Sequence, residues 1–70
     1  MNDTAVDDVI AEWVADGWRV LIECNPTYVI VGLSRDPNIE SVSYCHVVET
    51  GDTLGAVVQL LLDSGKVARR

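Results

Sequence analysis

The sequence has no phenylalanine, one methionine, one histidine, two cysteines and two prolines, and the shortage of cysteine and histidine closes classes of function. Two cysteines are too few for the disulfide framework that holds small secreted domains together, so Cys24 and Cys45 read first as buried free thiols, with a disulfide between two neighbouring strands as the lesser alternative. With His46 as the only imidazole, Cys24, Cys45 and His46 lack the short paired ligand spacings of structural zinc, and no metal or cofactor is expected. Cys45 and His46 are adjacent in a segment that reads as a strand, where neighbours point to opposite faces; they form no thiolate–imidazole dyad there, and no catalytic residue is expected. The glycines at 17, 32, 51, 55 and 65 are scattered, and neither a phosphate-cradling loop nor a dinucleotide fingerprint runs through them.

Long apolar runs are missing too. The longest, Tyr28-Val29-Ile30-Val31 followed by Gly32 and Leu33, falls far short of the roughly 20 residues that span a bilayer, so no membrane association is expected. Met1-Asn2-Asp3-Thr4 has neither the basic nor the apolar region of a secretory signal, which places the expectation in the cytoplasm. Basic residues are scarce: 5 against 11 acidic ones leave a net charge of -6. Apolar residues make up 49% of the chain, which separates it from disordered sequences of similar charge. Seventy residues hold one core, so residues 1–70 are read as a single small domain.

Val6, Val9, Ile10, Trp13 and Val14 recur at helical spacing, predicting an amphipathic helix over 4–16 with Thr4 as cap, Asp7 and Asp8 at the favourable end of the dipole, and Gly17 as the stop. From Trp18 to Cys24 the period changes to two, with Trp18, Val20, Ile22 and Cys24 on one face, predicting a strand. Asn25-Pro26-Thr27 is a turn, and Tyr28–Leu33 a second strand that completes a hairpin. After the turn Ser34-Arg35-Asp36-Pro37-Asn38, a third and longer strand is expected over Ile39–Glu49. Thr50-Gly51-Asp52-Thr53 breaks it and caps a second helix, whose stripe of Leu54, Val57, Val58 and Leu61 ends at Ser64-Gly65. Residues 66–70, with Lys66, Arg69 and Arg70, read as a short mobile basic tail. Trp13 and Trp18 are assigned to the core.

The order α-β-β-β-α with short connections predicts an α+β fold: a three-stranded antiparallel meander with two helices packed on one face. Two helices on one face leave the other to be covered. The second strand is apolar on both sides, and Leu21, Val29, Val31, Leu33 and Val47 are expected to form an exposed sheet-face or dimer interface. A homodimer, formed back to back or by pairing of edge strands, is expected on that ground.

The element order and length resemble those of the double-stranded RNA-binding domain. Where that family carries a lysine cluster at the start of its last helix, this chain reads Glu49-Thr50-Gly51-Asp52-Thr53, and no direct nucleic-acid binding is expected of it. Asp8, Glu12 and Asp16, spaced by four, stack along one side of the first helix as a candidate docking stripe for a protein partner, basic in character. The resulting expectation is a non-enzymatic protein-interaction module, a homodimeric accessory or inhibitory protein of a format common among phages and mobile elements. Two alternatives stand beside it. One is an acidic mimic of nucleic acid that blocks a DNA- or RNA-binding protein; the other is a small ligand-binding or enzymatic domain in which Tyr44, Cys45, His46 and Glu49 act together.

Overall fold

The computed structural model describes residues 5–67. Its order is α1 (Val6–Ala15), β1 (Arg19–Cys24), β2 (Val29–Ser34), a 3-10 turn (Val42–Tyr44), β3 (Val47–Gly51) and α2 (Leu54–Ser64). The three strands form one antiparallel meander in the order β1-β2-β3.

The helix ends follow local chemistry. Gly17, at φ +95, takes the chain out of α1, and Gly65, at φ +74, ends α2 in the left-handed conformation that a Cβ disfavours. The Thr53 hydroxyl accepts a hydrogen bond from the Ala56 N–H at 3.1 Å, satisfying one of the free donors at the start of α2. At the start of α1 the flanking residue is Ala5, which offers no side-chain cap; the expected cap, Thr4, lies outside the described residues.

Both helices cover one face of the sheet. Val9 and Trp13 of α1, Val57, Val58 and Leu61 of α2, and Val29, Val31 and Leu33 of β2 form a continuous buried cluster, with Val6, Ile10, Trp18, Val20, Val47, Leu54 and Leu62 packed around it. Val67 joins this cluster at 1% exposure. The expected basic tail therefore does not begin at residue 66: the chain is held against the core one residue later, and residues 68–70 lie outside the described residues.

The expected third strand is where the structure departs from the sequence reading. Only Val47–Gly51 pairs with β2, and residues 35–46 form a loop and a 3-10 turn that cross the opposite face of the sheet. The turn after β2 is built by short side chains: Ser34 Oγ accepts from the Asp36 N–H at 3.0 Å, and Asp36 Oδ1 accepts from the Asn38 N–H at 2.9 Å. Farther on, the Arg19 Nε–H donates to the Ile39 carbonyl at 2.6 Å, tying the loop to the start of β1. Val42 and Cys45 then settle over Gly32. A Cβ at residue 32 would sit 2.8 Å from Val42 Cγ2 and 2.7 Å from the Cys45 sulfur, so this close approach depends on glycine. The uncovered apolar face anticipated from the sequence is thus covered over β1 and β2 by the chain itself.

Candidate functional site

An open surface of mixed chemistry lies along α1 and its C-terminal end. Asp7, Asp8, Ala11, Val14 and Ala15 are all exposed on this helix, and Val14 retains 55% of its surface. The surface runs into an open groove of about 360 Å³ lined by Val14, Gly17, Trp18, Arg19, Val20 and Pro37. The exposed groups of the first turn are the carboxylates Asp7 and Asp8, and those of the last turn are the apolar Val14 and Ala15.

Of the predicted acidic stripe, Asp8 is exposed and Glu12 is half-buried. Asp16 has a local partner: its carboxylate lies 3.5 Å from Arg35 Nη2, while Arg35 Nη1–H donates to the Asp16 carbonyl. The Arg35 guanidinium also lies over the Trp18 ring, 3.9 Å from its centroid. Its position at the C-terminal end of α1 places a cation where free carbonyls and the helix dipole favour one. Arg35 sits in a turn nineteen residues from Asp16, and the sequence signal for this contact is no more than a lone arginine between Ser34 and Asp36. The stripe of three carboxylates is consequently not uniform, because its last member is neutralised within the chain.

The five residues expected on an exposed sheet face are placed differently. Val29, Val31 and Leu33 are 9%, 0% and 0% exposed on the helix side, and Val47 is half-buried against the same cluster. Leu21 pairs with Gly32 and shares its opposite face, where it is half-buried. The alternation in β2 is a full one, with Val29, Val31 and Leu33 turned to the helices and Ile30 and Gly32 turned to the loop; continuous apolar character came from covering on both sides.

Tyr44, Cys45, His46 and Glu49 do not converge. Tyr44 is 76% exposed. Cys45 packs over Gly32, where its thiol donates weakly to the Ser41 carbonyl at 3.8 Å. Burial pushes that thiol above its ordinary pKa, with the Arg19 charge opposing, so it is not an activated nucleophile. The imidazole of His46 accepts the Arg35 backbone N–H at Nδ1, 3.2 Å away. Glu49 pairs with Val31 and so lies on the helix side of the sheet, across from Cys45. Both cysteines are free, and Cys24 is exposed rather than buried. Among the described residues no group of three or more His, Cys, Asp or Glu is placed to hold a metal ion, and no helix is long and apolar enough to cross a membrane. Compared with family models, curated proteins and solved structures, the chain matches none.

Proposed function

We propose that the chain is a non-enzymatic protein-interaction module, working as a homodimer, that holds a larger protein against the outward side of α1. The observation that carries this reading is the continuity of exposed carboxylates at Asp7 and Asp8 with exposed apolar surface at Val14 and the groove formed with Trp18, Val20 and Pro37. A partner segment with basic residues at one end and apolar residues at the other matches that arrangement in charge and in shape. Carboxylates at the rim raise the encounter rate with such a partner, and the apolar groove slows its departure. Self-association adds buried surface to a chain whose single core gives a small stability margin.

The test is affinity capture from the native lysate with the wild type, Val14→Asp, the pair Asp7→Asn and Asp8→Asn, and Leu60→Asp as a control. Leu60 is exposed on α2, away from the groove. One protein captured by the wild type and by the Leu60 variant, and reduced at least tenfold by the α1 variants, is the expected result. Equal capture by all four removes α1 from the account.

A further inference from the structure

In the sheet order β1-β2-β3 both β1 and β3 have a free edge among the described residues. The orientation of the β1 edge follows from the hairpin. The Asn25 N–H donates to the Tyr28 carbonyl at 2.8 Å, so in this register Glu23, Leu21 and Arg19 turn their backbone groups toward β2. Val20, Ile22 and Cys24 therefore turn theirs outward, where no described residue bonds them. Ile22, on the helix side, keeps 42% of its surface exposed beside this edge.

Arg19 and Glu23 lie on the same face of β1, about 13 Å apart along the strand, too far to pair with each other. Arg19 uses Nε on the Ile39 carbonyl, and Glu23 Oε2 accepts from the Asn25 amide at 3.2 Å. Among the described residues neither forms an ion pair. Their midpoint is Leu21.

We propose that two copies of the chain join through the free edges of β1, antiparallel, with the two-fold axis at Leu21. The proposal rests on the homodimeric part of the reading above and names its surface. In this register Val20 and the partner's Ile22 exchange backbone hydrogen bonds, Leu21 faces the partner's Leu21, and Arg19 faces the partner's Glu23, twice over by symmetry. The strand is self-complementary in charge only in this arrangement. An axis at Ile22 sets Arg19 against the partner's Asn25 and Leu21 against the partner's Glu23. On the β3 edge, an axis at Glu49 opposes two carboxylates, and one at Val48 sets Val47 against the partner's Glu49. Joining at β1 makes a six-stranded sheet, removes an open edge and covers the exposed side of Ile22.

The full chain is measured by light scattering on a sizing column and by sedimentation over a concentration series, with circular dichroism to confirm folding. A mass near twice 7.6 kDa is expected. Arg19→Glu or Glu23→Arg alone should weaken the dimer at least tenfold, and the two together should restore it. In a Cys24→Ser background, Leu21→Cys should cross-link to a covalent dimer under mild oxidation, because opposed residues that do not share hydrogen bonds bring their Cβ atoms close. A wild-type monomer at high micromolar concentration overturns both the dimer and its edge. A dimer unmoved by the single reversals and not cross-linked through residue 21 overturns the β1 edge while leaving self-association in place. A double reversal as weak as the worse single one overturns the register.

Discussion

The Cys45 sulfur lies 2.7 Å from the point where a Cβ on residue 32 would stand, with Val42 Cγ2 2.8 Å from that same point. Gly32 is buried in the middle strand, flanked by Leu21 and Val48, and the missing side chain is the space into which the 42–45 segment descends. Gly32→Ala should therefore destabilise the fold by about 1–3 kcal/mol through overpacking, even though alanine suits a strand better than glycine. Urea unfolding measures it, and Cys45→Ala in the same chain should return part of the loss by removing the nearest atom. A Gly32→Ala variant as stable as the wild type would mean that the loop does not rest on the sheet.

Arg35 joins three elements that are distant in sequence: the end of α1 through Asp16, the ring of Trp18, and the 45–46 segment through the bond from its N–H to His46. Its ion pair is half in solvent, with side chains 49% and 35% exposed, so most of its worth lies in the stack and the carbonyl bond. Arg35→Ala should cost about 1–2 kcal/mol. Arg35→Lys should recover less than half of that, because a lysine keeps the charge but neither the planar stack nor the fork of donors. Raising the salt concentration should change the difference little; a loss that vanishes in salt would assign it to the ion pair instead.

The elements legible in the sequence are those fixed by local chemistry. The spacing of Val6, Val9, Ile10 and Trp13, the alternation of Val20 and Ile22, the Thr53 cap and the glycines at 17 and 65 each act within a few residues, and each appears in the structure as read. Residues 39–46 were not legible, because Ile39, Val42 and Tyr44 have the β-branched and aromatic character of a strand while their conformation is set by a gap at Gly32. The same holds for the acidic stripe. The spacing of Asp8, Glu12 and Asp16 is visible in one dimension, but the partner that neutralises Asp16 arrives from a turn beyond two strands. Val67 is a third instance, a single apolar residue beside a lysine that the core nevertheless takes up.

Trp13 is 1% exposed at the centre of the core, and its Nε1–H has no hydrogen-bond partner among the described residues. A buried donor without a partner costs on the order of 1–3 kcal/mol. Trp13→Phe removes that donor together with part of the ring, so the cavity penalty and the relieved desolvation oppose each other, and the net loss should stay below about 1.5 kcal/mol. Trp13→Ala removes the same donor but leaves a far larger cavity, and should cost about 3–5 kcal/mol. Thermal or urea unfolding of the two variants gives the comparison, and a Trp13→Phe loss well above about 1.5 kcal/mol would show that the indole N–H has a partner in solution.

Cys24 is exposed at the end of β1, whereas Cys45 is half-buried with its pKa pushed up by desolvation against the opposing Arg19 charge. A thiol whose folded pKa exceeds its unfolded one binds its proton more tightly in the native state. Its contribution to stability is complete below the unfolded value, about 8.5, and is lost as the pH rises through the folded value. Unfolding midpoints should therefore fall in alkaline solution by more in the wild type than in Cys45→Ala, with no difference in their pH dependence near neutrality. Iodoacetamide at neutral pH should modify Cys24 well before Cys45, as peptide mapping will show, since Cys24 is exposed while Cys45 is half-buried with its pKa raised by desolvation. Equal labelling rates would place the Cys45 sulfur in solvent, and with it the whole 42–45 segment off the sheet.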